Sequence, residues 1–150
     1  MPQSHAAVYI HWVFSTKQRK PFLKDPNLRA QVHSALGGIA KRLECMPIIV
    51  GGVSDHVHML TTMSRNLKLS AAVKEFKRSS NNWIKENHSI NGFKWQAGYG
   101  AFSVSQSNLD AVERYIFNQE EHHRKISFKD EFRSLLDKHR LEIDEKYCWD

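Results

Sequence analysis

Residues 48–63 read Ile-Ile-Val-Gly-Gly-Val-Ser-Asp-His-Val-His-Met-Leu-Thr-Thr-Met and contain the clearest structural pattern in the chain. The two apolar runs of this stretch, 48–50 and 57–63, are rich in β-branched residues. Between them lie Gly51-Gly52 and the polar pair Ser54-Asp55. Two such runs around glycines and polar residues are typical of a β-hairpin. The sequence therefore predicts two adjacent antiparallel strands.

Strands and helices alternate on either side of this hairpin. Apolar periodicity predicts strands at 7–15, 48–50, 57–63 and 101–105, and helices at about 26–44, 70–87 and 109–123. The first six elements run strand, helix, strand, strand, helix, strand, which matches the split βαβ arrangement of ferredoxin-like folds. We therefore predict an α+β protein with an antiparallel four-stranded sheet and added C-terminal helices.

The length of 150 residues and the hydrophobic content of 41% predict a globular domain and exclude low-complexity and collagen-like chains. We interpret residues 1–125 as this domain and 126–150 as a charged C-terminal helix and tail. The longest nearly apolar stretch, Ala6 to Phe14, is too short to cross a bilayer, and the first residues do not resemble a secretory signal. We expect a cytoplasmic protein whose Cys45 and Cys148 are reduced.

Positive charge is concentrated in the first four fifths of the chain. Residues 1–119 hold 15 Lys and Arg against 7 Asp and Glu, whereas residues 120–150 hold 7 against 9. A basic body attracts polyanions such as nucleic acid, although many basic proteins bind none. Basic and aromatic side chains that could contact single strands are Lys17, Arg19, Lys20, Arg65, Lys68, Lys74, Lys77, Arg78, Lys85, Trp83, Trp95 and Tyr99.

The motif Asp55-His56-Val57-His58 lies at the start of the strand predicted at 57–63. Side chains on a strand repeat every two residues, so His56 and His58 point to the same face, about 7 Å apart at their Cα atoms. Two imidazoles placed in this way can converge on one metal ion. A lone His-x-His also arises by chance, with both rings merely solvated or hydrogen-bonded in the core.

A second group of polar residues lies on the third predicted helix. Tyr115 and Gln119 are four residues apart and His122 is seven from Tyr115, so all three share a helix face. A phenol and an amide oxygen are thereby presented together. The alternative is a Tyr115 that borders the core with its hydroxyl at the surface.

These motifs, together with Trp95-Gln96-Ala97-Gly98-Tyr99, resemble the single-tyrosine HUH transposases of bacterial insertion sequences and their REP-associated relatives. The resemblance extends from the opening Tyr9-Ile10-His11-Trp12 to the final Tyr147-Cys148-Trp149-Asp150. It implies a nuclease and strand transferase that acts on single-stranded DNA, often folded into a hairpin.

The resemblance also implies a role for each motif residue. His56 and His58 would be metal ligands, Gln119 the third ligand, and Tyr115 the nucleophile that forms a 5′-phosphotyrosine. The implied metal is Mg²⁺ or Mn²⁺, although imidazoles alone would also admit zinc, nickel or copper. The implied assembly is a homodimer in which the tyrosine helix of one subunit can complete the metal site of the other, although some REP-associated relatives act as monomers.

Two other classes of function compete with this interpretation. A non-catalytic nucleic-acid-binding domain derived from such a transposase would keep the basic body and the sheet without needing a metal. A histidine-triad phosphohydrolase would need a third alternating histidine, but Leu60 occupies that position.

Overall fold

Four antiparallel strands form one sheet in the computed structural model, which describes residues 2–150. The strands are β1 (Tyr9–Ser15), β2 (Pro47–Gly52), β3 (His56–Thr62) and β4 (Gly100–Val104), arranged in the order β2-β3-β1-β4. The helices are α1 (Pro26–Arg42), α2 (Leu69–Asn87), α3 (Leu109–Phe117), α4 (Gln119–His122) and α5 (Phe128–Lys138). This strand order and the positions of α1 and α2 confirm the ferredoxin-like prediction.

The two faces of the sheet pack against different helices. Alternate residues of β1 and β3, among them Trp12, Phe14 and Met59, form the main core together with apolar residues of α1 and α2. Val13 and Phe102 face the other way and pack against α5. Because side chains alternate along a strand, His56 and His58 lie on the face that carries the C-terminal helices, not on the main core.

Local sequence explains where the helices begin. The side chain of Asp25 accepts a hydrogen bond from the Asn27 backbone N–H, and Pro26 occupies the first turn of α1, where a missing N–H costs nothing. At α5, the Ser127 hydroxyl accepts from the Asp130 backbone N–H. The final helix therefore starts at a defined residue, which fixes the position of the side chains that follow it.

The predicted helix 109–123 is wrong in one respect, because it is divided at Asn118. This residue has φ −93° and ψ 21°, outside the helical range, and it separates α3 from α4. Asparagine favours such positions because its side chain competes for backbone hydrogen bonds. The N–H of Asn118 still donates to the Arg114 carbonyl, so the interruption is a local kink and the two segments stay adjacent.

Other predicted features agree with the structure within a few residues. The helix predicted at 26–44 ends at Arg42, and Gly37-Gly38 does not interrupt it because the surrounding helix face is buried. Cys45 and Cys148 carry free thiols, as expected. In residues 2–150, no helix has both the length and the apolar character needed to cross a membrane.

Gly51 allows α3 to approach β2 closely. A Cβ at this position would lie 2.8 Å from the Ile116 carbonyl oxygen and 2.9 Å from its Cγ2. We expect Gly51→Ala to lower the free energy of unfolding by about 1–3 kcal/mol, because α3 must move outward. Urea denaturation measures this change.

The matched control is Gly38→Ala, in the middle of α1. A Cβ at Gly38 meets no atom of the described chain within 4 Å. Alanine is the better helix former, so this variant should gain up to about 1 kcal/mol. If Gly51→Ala and Gly38→Ala change the free energy of unfolding equally, close packing of α3 against Gly51 is contradicted.

Candidate active site

His56 and His58 project from β3 toward one point beneath the C-terminal helices. Both side chains are fully buried, and their ring centroids lie 5.1 Å apart. Each ring directs Nε2 at the same carboxylate oxygen, Oε1 of Glu131, which is 3.4 Å from His56 and 3.0 Å from His58. The structure thus brings together the two imidazoles of the predicted His-x-His pair.

The other nitrogen of each ring is held by a separate partner. Nδ1 of His56 lies 2.7 Å from Oδ1 of Asp55, and Nδ1 of His58 lies 2.8 Å from Nε2 of His11. Partners of this kind fix the orientation of metal-binding histidines and leave the inner nitrogen free for the ion. His11 comes from β1, where it pairs in register with Leu60 and contacts His58 diagonally.

Tyr115 and Gln119 approach the two histidines from α3 and α4. The Tyr115 ring lies 5.7 Å from the His58 ring, centroid to centroid, and Oε1 of Gln119 lies 3.1 Å from Nε2 of His56. Gln119 is buried even though its neighbours on α4 are exposed. All four residues singled out by the sequence therefore lie in one cluster within a single chain.

Glu131 of α5, which sequence reasoning placed in a charged tail, lies at the centre of this cluster. It is only 2% exposed. One oxygen, Oε1, faces the histidines, while the other, Oε2, accepts hydrogen bonds from the Tyr115 hydroxyl and the Gln119 amide. A buried carboxylate between the tyrosine and the imidazoles is thus part of the site.

Two further histidines border the same carboxylate: His122 is the last residue of α4, and His123 follows it. Nε2 of His123 lies 3.1 Å from Oε1 of Glu131, and Nε2 of His122 lies 3.3 Å from Oε2. Both nitrogens are buried, yet neither has a hydrogen-bond partner with acceptable geometry among residues 2–150. Buried polar atoms without partners are uncommon and mark places where an ion or water belongs.

Burial and hydrogen bonding set opposite charge states for neighbouring histidines. Burial opposes a charge on His56, but hydrogen bonds to Asp55 and Glu131 outweigh it and raise the pKa of His56 to about 9. For His58, burial dominates despite Glu131 and lowers the pKa to about 4. Burial also holds the pKa of His11 well below its usual value. Of these three histidines, His56 is therefore the one that is charged at neutral pH in the metal-free protein.

The same contacts shift the pKa values of Tyr115 and Glu131 in opposite directions. Burial and the adjacent Glu131 carboxylate raise the pKa of Tyr115 well above its ordinary value. Burial alone would raise the pKa of Glu131, but the imidazoles of His123, His56 and His58 in contact with it hold it far below its ordinary value. Glu131 is thus ionised and Tyr115 is protonated at neutral pH.

A cavity of about 560 Å³ opens beside Tyr115 between β4, α3 and α5. Its lining includes Phe102 and His11 on the sheet side and Lys138 on the helix side. Tyr115 is partly exposed, unlike the fully buried His56 and His58. The phenol therefore borders both the histidine cluster and a space that a ligand can enter.

The donor atoms of this cluster fit a divalent ion. Ligand atoms of His56, His58, His123 and Glu131 all lie within 4.8 Å of one another. Imidazole nitrogens together with a carboxylate oxygen and the amide oxygen of Gln119 form a mixed set that binds many divalent metals. The unpartnered Nε2 atoms of His122 and His123 are consistent with this fit.

Sequence reasoning missed the contributions of His11, His123 and Glu131 to the site. The only local signal was the alternation of His11 with apolar residues in a buried strand. Among the predicted nucleic-acid contacts, Trp95 is a core residue that donates to the Ser80 hydroxyl, whereas Tyr99 is 37% exposed.

The fold and cluster together define a class of small ferredoxin-like proteins with a tyrosine beside a strand-borne histidine pair. The chain belongs to the family of IS200-like transposases, whose model matches residues 4–119. That match includes the sheet and the residues from His56 to Gln119, and it ends before α5. No curated protein matches the chain.

Two solved structures share the fold. A proposed transposase from Deinococcus radiodurans R1 is 21% identical, with a TM-score of 0.61, and the match covers 79% of this chain and 98% of that chain. A REP-associated tyrosine transposase bound to a REP hairpin is 12% identical, with a TM-score of 0.59, and the match covers 82% of this chain and 74% of that chain.

The charge on His56 predicts a pH dependence of stability in the metal-free protein. Its pKa of about 9 in the folded state exceeds the ordinary 6.5, so its contribution is complete below pH 6.5 and is lost as the pH rises to 9. His58, with a pKa of about 4, must charge on unfolding, so stability also falls below pH 6.5. We expect a maximum near pH 6.5, measured by urea denaturation in EDTA.

Two variants test the origin of the alkaline decline. Asp55→Asn removes the charge that faces Nδ1 of His56, 2.7 Å away, and should flatten the decline between pH 6.5 and 9. Asp137→Asn, at an exposed position on α5, should leave it unchanged. If the free energy of unfolding falls equally between pH 6.5 and 9 in the wild-type protein, Asp55→Asn and Asp137→Asn, the assignment to His56 is contradicted.

Proposed function

We propose that the protein is a transposase that cuts single-stranded DNA and rejoins it through a covalent bond to Tyr115. The observation that carries the proposal is the position of the Tyr115 hydroxyl. It donates to one oxygen of Glu131, while the other oxygen lies 3.0 Å from Nε2 of His58. A nucleophile and a metal-binding histidine pair thus meet at one carboxylate.

In the proposed reaction, the phenolic oxygen of Tyr115 attacks a phosphorus atom of the DNA backbone. A bond forms between that oxygen and phosphorus, and the bond from phosphorus to the 3′ oxygen breaks. The proton lost by Tyr115 is balanced by the proton that the 3′ oxygen gains. The products are a 5′-phosphotyrosine and a free 3′-hydroxyl, and a second 3′-hydroxyl can later attack the ester and rejoin DNA without ATP.

His56, His58 and Gln119 are the residues that we propose as ligands of the divalent ion. When bound, Mg²⁺ or Mn²⁺ supplies positive charge that stabilises the negative charge developing on the phosphate. Asp55 and His11 keep the two rings in place through their outer nitrogens. Since burial and Glu131 hold the pKa of Tyr115 high, its ionisation depends on positive charge brought to the site.

The proposed substrate is a DNA hairpin at the end of a mobile element. The excess of basic residues in positions 1–119 favours a polyanion, and the structurally similar REP-associated transposase is bound to a hairpin. The cavity beside Tyr115 provides space for a strand, with Lys138 at its wall. We accordingly keep the prediction of a cytoplasmic protein with access to DNA.

A covalent-adduct assay tests the function. Wild-type protein and 3′-labelled hairpins, taken from palindromes that flank the coding region, should give a labelled band on a denaturing gel when Mn²⁺ or Mg²⁺ is present. Tyr115→Phe should reduce this band at least about 100-fold while still binding the hairpin, because the attacking oxygen is removed. EDTA should abolish it.

The control is Tyr147→Phe, since Tyr147 is 60% exposed on the C-terminal tail, and this variant should behave as wild type. An adduct that survives in Tyr115→Phe would rule out the assigned nucleophile. Hairpin binding by wild-type protein without cleavage in either metal would instead support the non-catalytic binding domain.

We also propose that the protein is a homodimer. Strand β2 is an edge of the sheet, and unpaired edges are prone to pair with another chain. Next to it, Phe117 is 79% exposed and shares a surface hollow with Ile49. An exposed phenylalanine beside a free strand edge favours contact with a second copy.

Phe117→Ser tests this assembly. We expect the wild-type protein to sediment as a dimer and the variant to shift toward monomer, because the exposed ring no longer contributes to the contact. Leu141→Ser is the control, since Leu141 is 51% exposed but lies on the C-terminal tail. A wild-type protein that sediments as a monomer at high concentration would exclude the dimer.

A further inference from the structure

We infer that His123 and Glu131, from the C-terminal segment, bind the same divalent ion as His56 and His58. The inference rests on the proposed function, because it extends the metal site described above. The family model ends at residue 119, so both additional ligands lie beyond the matched region. The C-terminal segment thereby becomes part of the metal site and not only a cover over the sheet.

One oxygen of Glu131 lies at ligand-to-ligand distances from three imidazole nitrogens. Its Oε1 lies 3.0 Å from Nε2 of His58, 3.1 Å from Nε2 of His123 and 3.4 Å from Nε2 of His56. Ligand atoms bound to one ion at about 2.1 Å, with tetrahedral or octahedral angles, lie about 3.0–3.4 Å apart. These spacings are therefore those expected between neighbouring ligands of a single ion.

The hydrogen bonding of His123 determines which of its ring nitrogens faces Glu131 as a possible ligand. Its Nδ1 lies 2.8 Å from the Ile126 carbonyl oxygen, which can only accept, so Nδ1 must carry the hydrogen. In the neutral ring, Nε2 then presents a lone pair to Oε1 of Glu131, and this nitrogen has no hydrogen-bond partner among residues 2–150. A divalent ion bound to both atoms would be coordinated by these two lone pairs, and their separation of 3.1 Å is that of neighbouring ligands.

The second carboxylate oxygen connects the ion to the nucleophile. While Oε1 faces the three imidazoles, Oε2 accepts hydrogen bonds from Tyr115 and from the Gln119 amide. One rigid group thus contacts both the ion position and the phenol. Glu131 is therefore also a positioning residue for Tyr115. An ion that holds the carboxylate in place also holds the Tyr115 hydroxyl, because that hydroxyl donates a hydrogen bond to the carboxylate.

The added oxygen ligand also bears on which metal the site selects. Two imidazoles alone suit zinc, nickel and copper as well as manganese, whereas carboxylate and amide oxygens favour harder ions such as Mn²⁺ and Mg²⁺. With Glu131 and Gln119 included, the donor set contains both types. This composition favours Mn²⁺ among the ions that the histidine pair alone leaves open.

Manganese titrations of the full chain test the inference without measuring activity. The signal of free Mn²⁺ in electron paramagnetic resonance gives the dissociation constant. We expect Glu131→Gln and His123→Gln each to raise that constant at least about 10-fold, because even the loss of a group that only supports a metal ligand typically costs about 10- to 100-fold in metal affinity. Spin-echo modulation should report three coordinated imidazoles in the wild-type protein and two in His123→Gln.

Matched variants separate this inference from the proposed function. Glu121→Gln, at an exposed glutamate of α4, should bind Mn²⁺ as wild type, and His56→Ala should lose binding. Tyr115→Phe should lose the DNA adduct but keep its Mn²⁺ affinity within about twofold, because the phenol is not a ligand. Circular dichroism confirms folding, and if Glu131→Gln fails to fold, His123→Gln decides the result.

Wild-type Mn²⁺ affinity in folded Glu131→Gln or His123→Gln, with binding lost in His56→Ala, would overturn the inference and leave the proposed function intact. Absence of Mn²⁺ binding by the wild-type protein would also overturn it. Weakened binding in both variants without any DNA adduct in the wild type would support the ligand assignment and refute the proposed function.

Discussion

The burial of one carboxylate constrains much of this structure. Glu131 is removed from water, and an ionised group in such a position is costly unless charged or hydrogen-bonding partners surround it. Its surroundings meet this requirement with histidine rings, a phenol and an amide. Because these partners come from β3, α3, α4 and the turn after α4, the single carboxylate holds the C-terminal helices in register with the sheet.

The strand supplies a rigid base for this arrangement. The two-residue repeat of β3 places His56 and His58 on one face, and Asp55 and His11 hold the outer nitrogens of the rings. The inner nitrogens therefore point to a common position before any ligand arrives. Sites built on regular elements in this way keep their geometry better than sites built on loops.

The kink at Asn118 completes the geometry from the opposite side. It separates α3, which packs against β2 at Gly51, from α4, which carries Gln119. Tyr115 can thus remain at the border of a cavity while Gln119 is buried against His56. The part of the chain that matches the IS200-like transposase family contains the sheet and the segment with Tyr115. Helix α5 lies outside this part and supplies the Glu131 carboxylate that contacts both.

Features that depend on local periodicity could be predicted from the amino-acid sequence. Alternation of apolar residues placed the four strands, helical spacing placed the helices, and the two-residue repeat put His56 and His58 on one face. The sequence also grouped Tyr115 with Gln119, although a regular helix was expected where the chain kinks at Asn118. These properties are readable because each depends on residues that are close together in the chain.

The distant residues that complete the site are identified by the packing of the helices against the sheet. His11 reaches His58 because β1 and β3 are neighbours in the sheet, and Glu131 reaches it because α5 folds back over the same face. The charges around Glu131 look like those of any solvated helix in the sequence. Burial alone distinguishes this glutamate from its exposed neighbours, and burial is a property of how the elements pack, which local patterns do not encode.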